Sequence, residues 1–479
     1  MADSIRNVAR TPAPRTPDAP PGPRAAERPP AERGVAPSLV PLLSEWVPRQ
    51  RWFAGKGRPV TELALASVTE LLPYQGAAPG LLHLLIRVEQ PGPVTDVYQL
   101  LLGLRPAPLP PVLAPWAVGV AGDGPLRGAG VYDALGDPRP TGMLLERLRL
   151  PGRLGPLVFS REPGAHIPAG LTSRPLSAEQ SNSSVVYGDQ LILKLFRRVH
   201  PGANPDLELP LALARAGAAC VPAPAAWFES TDLADADGGP ATLGVLQPFL
   251  AGATDGWELA PAAAARGDAF LAEARELGRA TAEVHTALAR VLPTMVLRRQ
   301  QIEHLTALMT ERLDATAAAV PALLPYRDAL AANFARLTAL GDAGRTWHAQ
   351  RIHGDLHLGQ ALWSPAASRW SVIDFEGEPA RPLAERRRPQ PPARDVAGML
   401  RSFDYAARSV DAGPDWARRT RDAYCAGYAA AAGADPRREP ELLTAYEADK
   451  AVYEVLYEAR HRPDWLDVPL SAIRRLAAA

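Results

Sequence analysis

Cysteine is nearly absent: only Cys220 and Cys425 occur in 479 residues. Two are too few for a disulfide framework, and these lie too far apart in sequence for a zinc site. Such scarcity fits a reducing cytoplasm, which is the expected location. Neither sign of charge is in excess, since 52 basic residues face 52 acidic ones. Bulk attraction to nucleic acid or to an anionic membrane surface is therefore not expected. Apolar runs are short, none approaching the ~20 residues of a membrane span. The N-terminus also lacks the apolar core of a signal peptide. What remains, 47% hydrophobic and 22% charged residues, is ordinary for a soluble globular protein of two or three domains.

Proline, by contrast, is plentiful and gathers at the start. Pro12, Pro14, Pro17, Pro20, Pro21, Pro23, Pro29 and Pro30 stand among Arg, Ala and Asp. Residues 1–37 cannot bury enough surface to offset their ordering entropy and read as a disordered tail. Order is expected from residue 38, with Leu42-Leu43-Ser44-Glu45-Trp46-Val47 helical. The Gly55-Lys56-Gly57 that follows is not a phosphate loop. That motif needs GxxxxGK[ST] between a strand and a helix, and Gly57 stands where Ser or Thr belongs. From Glu62 to Arg147, runs such as Leu81–Val88 and Val97–Leu102, broken by Gly and Pro, signal strands and turns. Residues 38–150 are thus expected to form a β-rich cap with no catalytic constellation.

Residues 151–250 carry a different pattern. A polar loop containing Ser181, Asn182 and Ser183 precedes a hairpin, Val185-Val186-Tyr187 and Leu191–Phe196. Hydroxyls and backbone N–H groups in such a loop can roof nucleotide phosphates without a glycine-rich sequence; a plain surface turn is the alternative. Lys194 lies inside the apolar strand, where its ammonium must snorkel or find a charge partner. Glu208 is the candidate partner, on a helix that Asn204 and Pro205 could start. Pro210 complicates this, since proline inside a helix costs about 3 kcal/mol. The Thr242–Phe249 strand should lead to a hinge, where Gln247 and Phe249 would meet adenine. Residues 251–479 then turn helical, with periodic segments at 261–292, 298–318, 321–340, 393–408, 414–432 and 438–461.

The chemistry concentrates in two short runs. His353-Gly354-Asp355-Leu356-His357-Leu358-Gly359-Gln360 reads as a catalytic loop, and Val372-Ile373-Asp374-Phe375-Glu376-Gly377 as a strand delivering a metal-binding carboxylate. Phosphoryl transfer asks for one carboxylate to orient a hydroxyl and others to hold Mg²⁺ against the phosphates. Asp355 is the candidate base and Asp374 the candidate metal ligand. Gln360 stands where protein kinases place Asn, and Glu376 is either a further metal ligand or a loop carboxylate. His353 is expected to brace the loop. Asp395 is either a helix N-cap or the residue that holds the catalytic-loop backbone. Within the late helix, Lys450, Tyr453, Glu454 and Tyr457 share one stripe. That stripe is either a solvated face or a sugar-binding wall.

These two runs, with Arg381-Pro382-Leu383-Ala384-Glu385-Arg386-Arg387, Arg51–Arg58, Glu179–Ser184 and Tyr457–Trp465, resemble bacterial maltokinase, whose catalytic part is similar to aminoglycoside phosphotransferases. The resemblance implies an α+β, eukaryotic-protein-kinase-like bilobal fold with an N-terminal β-rich cap domain and a large helical C-lobe. It implies ATP and Mg²⁺, transfer of the γ-phosphoryl group to the anomeric hydroxyl of maltose, and the product maltose 1-phosphate for α-glucan synthesis. It places acceptor contacts at His357, Arg386, Lys450, Tyr453, Glu454 and Tyr457, and points to a trehalose-converting enzyme as partner. Another acceptor such as glucosamine is the alternative within the class. A non-catalytic pseudokinase is the alternative outside it, disfavoured by the joint presence of Lys194, Asp355, Gln360 and Asp374.

Overall fold

In the computed structural model, residues 30–76, 78–92, 95–176, 181–236, 238–378 and 381–478 are described. The apolar runs of the cap form a long antiparallel meander. Strands Glu62–Leu72, Gly80–Glu89 and Thr95–Pro106 pair in sequence order, with Leu84 opposite Leu100 and Ile86 opposite Tyr98. Alternation sends Leu82, Leu84, Ile86 and Val88 to one face and Leu81 and Leu85 to the other. Both faces are covered, so the Leu81–Val88 run is nearly continuous rather than alternating.

Helix Pro30–Trp46 covers the first face. Order therefore begins ahead of residue 38, and the rest of the expected tail, 1–29, lies outside the described residues. Leu39, Leu43 and Val47 recur every four residues and are fully buried. That stripe stabilises the helix despite Pro37 and Pro41 within it. A second helix, Pro138–Arg149, occupies a stretch expected to be strand and turn. Asp137 caps it by accepting from Arg139 N at 3.1 Å, and Leu144, Leu145 and Leu148 pack inward.

The other face of the cap sheet rests on the kinase N-lobe. Seven antiparallel strands there run in the spatial order Gly152–Leu154, Leu157–Arg161, Ala226–Ala234, Pro240–Pro248, Leu191–Leu195, Ser183–Tyr187, Ser173–Pro175. One core joins Leu81, Leu85 and Leu101 of the cap to Val185, Leu193 and Phe228 of the lobe. The short strand Arg198–Val199 also pairs with Thr95–Pro106. Arg197 donates to Asp133 at 2.5 Å, both side chains buried. A division near residue 150 thus follows the order of the chain but not its packing.

Beyond the hinge, helices Leu271–Val291, Arg299–Ala319, Arg327–Asp342, Ala393–Ser409, Pro414–Ala432, Pro440–His461 and Asp467–Ala477 build the large lobe. The helix expected at 261–292 is two, Gly256–Ala265 and Leu271–Val291. A small sheet of Thr254–Asp255, Ala361–Ser364 and Arg369–Val372 sets the catalytic loop at the cleft. The result is a bilobal kinase-like fold with a β-rich cap. Among the described residues no helix is long and apolar enough to cross a membrane.

Candidate active site

The catalytic loop is held from behind by Asp395. Its Oδ1 accepts from Gly354 N and its Oδ2 from His353 N, both at 2.8 Å; Oδ2 also meets His285 Nε2 at 3.0 Å. Burial opposes ionisation of this carboxyl, but His285 beside it keeps it below the ordinary range. Of the two readings open from sequence, the holder of the loop backbone is the one seen. His353 donates from Nε2 to Ile373 O at 2.8 Å and packs on Phe375, so it ties the loop of Asp355 to the loop of Asp374. Asp355 then stands at the cleft, its Oδ1 accepting from Lys450 Nζ at 2.9 Å.

On the metal side, Asp374 adopts φ +65°, a left-handed conformation that aspartate tolerates better than most residues. Lys194 Nζ lies among three carboxylates, 2.8 Å from Asp206 Oδ2, 2.6 Å from Asp374 Oδ1 and 2.8 Å from Glu376 Oε1. Gln360 donates its amide to Asp374 Oδ2 at 3.0 Å, which turns its carbonyl oxygen away from that carboxylate. Burial works against the Asp374 anion, yet Lys194 and Gln360 hold its carboxyl below the usual value. Glu376 goes the other way: burial, reinforced by the charges of Asp374 and Asp206, outweighs Lys194 and pushes its carboxyl up. Asp206, Asp374 and Glu376 each offer an oxygen within 4.8 Å of the others, close enough to share a cation.

Glu208 is not the partner of Lys194. Asn204 caps helix Pro205–Arg215 by accepting from Asp206 N at 2.9 Å. That start aims Asp206 into the cleft, where its other oxygen accepts from Phe375 N at 2.6 Å. Glu208, two residues or about 200° further round the helix, instead accepts from Arg351 Nη1 at 3.0 Å. Pro210 lies inside this helix without ending it. The sequence signal for Asp206 was the cap itself, which fixes the phase of the first turn.

Of the residues expected to meet nucleotide, Asn182 reaches the carboxylate cluster. Asn182 donates to Glu376 Oε1 at 2.5 Å. Ser183 Oγ accepts from Arg197 Nε at 2.8 Å. Ser181 is exposed, and its neighbours 177–180 lie outside the described residues. At the hinge, Gln247 faces Ile192 across the strand pair. Phe249 N donates to Gln190 O at 2.8 Å, with the Arg174 guanidinium over its ring.

Next to Asp355 opens a cavity of about 520 Å³. The stripe residues Lys450, Tyr453, Glu454 and Tyr457 line it together with His357. The rings of Tyr453 and Tyr457 stack at 6.3 Å. Arg386 does not line it; its Nη1 donates to Glu376 O at 2.9 Å and fixes the metal loop instead. Glu454 Oε2 is engaged by the fully buried Arg401 at 2.7 Å, so this carboxylate is already paired. His357 accepts from Gly359 N through Nδ1, which caps the short turn after it, and burial lowers its pKa. Lys450 stays a cation, since Asp355 and Glu378 outweigh the burial that would discharge it. Wall residues that escaped the sequence reading include Ser402 and Tyr405, and Asp255 and Trp257 where the chain enters the large lobe. The signal for the last two was the Asx cap, Trp257 N donating to Asp255 Oδ1 at 2.6 Å.

Known proteins share this arrangement. Residues 46–137 match the model of the maltokinase N-terminal cap domain, and residues 172–434 that of the phosphotransferase enzyme family. Glucosamine kinase from Streptacidiphilus jiangxiensis is 32% identical over 324 residues, 62% of this chain and 71% of the relative. Glucosamine kinase from Mycolicibacterium smegmatis is 31% identical over 327 residues, 63% of this chain and 79% of the relative. A solved glucosamine kinase in complex with glucosamine, ADP and inorganic phosphate superposes with a TM-score of 0.65 at 25% identity, over 91% of this chain and all of that one. Another glucosamine kinase crystal form gives 0.67 at 25% identity, over 92% of this chain. Kinase fold, cap and motif together make this chain an enzyme of the phosphotransferase enzyme family, with a maltokinase-type cap on its N-lobe.

Proposed function

We propose that the protein transfers the γ-phosphoryl group of ATP to a hydroxyl of a sugar bound in the cavity beside Asp355. The observation that carries this reading is that Asp355 lines that aromatic-walled cavity on a loop whose His353 is bonded to Ile373 O, next to the Asp374 that meets Lys194. Asp355 would accept the proton of the attacking hydroxyl as its oxygen bonds to phosphorus. The bond from phosphorus to the β–γ bridging oxygen breaks, and ADP leaves with that electron pair. Lys194 would hold phosphate oxygens, and the loop at Ser181, Asn182 and Ser183 would roof them. Glu208 would act only through Arg351. Gln247 and Phe249 would flank adenine.

The carboxylates fit Mg²⁺, a hard cation that takes oxygen ligands and is often held by one or two carboxylates beside substrate phosphates. Asp374 would hold it, with Glu376 and Asp206 offering oxygens close enough to share it; Gln360 would join through its carbonyl oxygen once its amide turns off Asp374 Oδ2. When bound it neutralises charge on the transferring phosphoryl group.

The relatives make glucosamine the first acceptor to test. Maltose is the second reading, favoured by the stacked Tyr453–Tyr457 wall, which suits the ring faces of a disaccharide. The cap does not decide between them. A glucosamine kinase superposes over 91% of this chain, too much to leave out a cap of residues 46–137. A place in α-glucan synthesis and a trehalose-converting partner stand or fall with maltose. The test is purified protein with ATP, Mg²⁺ and a panel of glucosamine, maltose and glucose, with the product's phosphate position read by NMR. Phosphorylated glucosamine alone supports the first reading and maltose 1-phosphate alone the second. Transfer to no sugar overturns both.

A further inference from the structure

The run Asp374-Phe375-Glu376-Gly377-Glu378 carries three carboxylates, and the third points away from the metal side. Glu378 is buried. Its Oε2 meets Arg381 Nε at 2.5 Å and Arg394 Nη2 at 3.0 Å, while its Oε1 lies 3.5 Å from Lys450 Nζ. Lys450 is the same ammonium that donates to Asp355 at 2.9 Å. Asp355, Glu378, Arg381, Arg394 and Lys450 all line one enclosed cavity of about 20 Å³ behind the base.

The backbone explains how a residue of the metal loop arrives there. Gly354 and Gly377 both take positive φ, +87° and +70°. A Cβ on Gly354 would sit 3.4 Å from Gly377 Cα, so the loop that carries Asp355 and the loop that carries Asp374 lie against each other. One residue after Gly377, the chain has crossed from the metal side to the back of the base.

We propose that Glu378 is a positioning residue for phosphoryl transfer, acting on Asp355 through Lys450. With two carboxylates to serve, the ammonium cannot collapse onto Asp355 and take both of its oxygens. One lone pair of Asp355 stays directed at the acceptor hydroxyl. Arg381 and Arg394 hold Glu378 in place, so the spacing of base and metal is set by one short segment. This rests on Asp355 being the base.

The test is a double-mutant cycle of Glu378→Asp and Lys450→Met, followed by kcat, both KM values and Tm. The shorter Glu378→Asp carboxylate keeps a charge for the arginines but withdraws from Lys450. In the wild-type background it should lower kcat about 10- to 100-fold, with KM for ATP and for the sugar nearly unchanged. In the Lys450→Met background it should do nothing further. Equal losses of kcat in both backgrounds, or a wild-type kcat in Glu378→Asp, would overturn the proposal. Should Glu378→Asp fail to fold, the charge-balanced Glu378→Gln with Arg381→Gln takes its place in the same cycle. An Asp355→Asn control separates the two levels. If it keeps normal turnover, the base assignment fails; if it is inactive while the cycle shows no coupling, only the role of Glu378 fails.

Discussion

The two ends of the cleft are built on different principles. At the metal end, three carboxylates, one ammonium and two amides engage each other within a few ångströms. Backbone in left-handed conformation at Asp374 and Gly377 aims them. At the acceptor end, a cavity of about 520 Å³ opens between Trp257 and the Tyr453–Tyr457 pair. Several of its charged members are already paired, Glu454 with Arg401, Lys450 with Asp355 and Glu458 with Arg462. The metal end thus offers fixed charge, suited to a polyphosphate that is the same in every turnover. The acceptor end offers shape and ring faces, suited to distinguishing one sugar from another.

The largest expected effect lies at the metal end. Asp374→Ala removes the carboxylate that faces both Lys194 and Gln360, so activity should vanish together with Mg²⁺-dependent nucleotide binding. Calorimetry with Mg·ATP checks this, and unchanged affinity would move the metal role elsewhere. A smaller effect sharpens the assignment of the lysine partner. Asp206→Asn weakens a charge-assisted contact to Lys194 and the hold on Phe375 N. Such contacts are worth about 1.5–3 kcal/mol, or roughly 10- to 100-fold in kcat. Glu208→Gln, which touches Arg351 instead, should cost less; the reverse order would restore Glu208 as the partner of Lys194. The smallest effect belongs to the acceptor end. Tyr453→Ala and Tyr457→Ala each lose ring contact worth about 0.5–1.5 kcal/mol. KM for the sugar should rise several-fold while ATP affinity stays put. If ATP affinity falls as well, the two ends are not separable as described.

This contrast also explains what was legible in the sequence. The metal end and the base sit in two runs nineteen residues apart, Asp355 and Asp374. His353, two residues before Asp355, bonds to Ile373 O beside Asp374, so the two runs that are close in sequence also lie together in space; Lys194 and Asp206 join them from the N-lobe. The late-helix stripe was legible for the same local reason: Lys450, Tyr453, Glu454 and Tyr457 share a face by helical periodicity alone. What escaped needed distant contacts. Arg401 takes up Glu454 from another helix, and Trp257 joins Tyr457 in the lining of one cavity from a distant part of the chain. Asp206 rather than Glu208 meets Lys194 because two residues turn a helix by about 200°, and the Asn204 cap sets that phase. The helix from Pro30 was hidden by prolines whose local cost its buried leucines offset. Arg386 was grouped with acceptor residues by its motif, whereas its guanidinium is spent on the Glu376 carbonyl.

The central claim is that Asp355 takes the proton of a sugar hydroxyl while the opposite end of the cleft holds the nucleotide. Asp355→Asn preserves shape and removes only the proton acceptor and its charge. Single-turnover rates of phosphoryl transfer, measured beside ATP affinity for wild type and this variant, test it most directly. The expected result is a chemical step slowed by roughly 10²–10⁴ with ATP binding retained; a chemical step at the wild-type rate would contradict it.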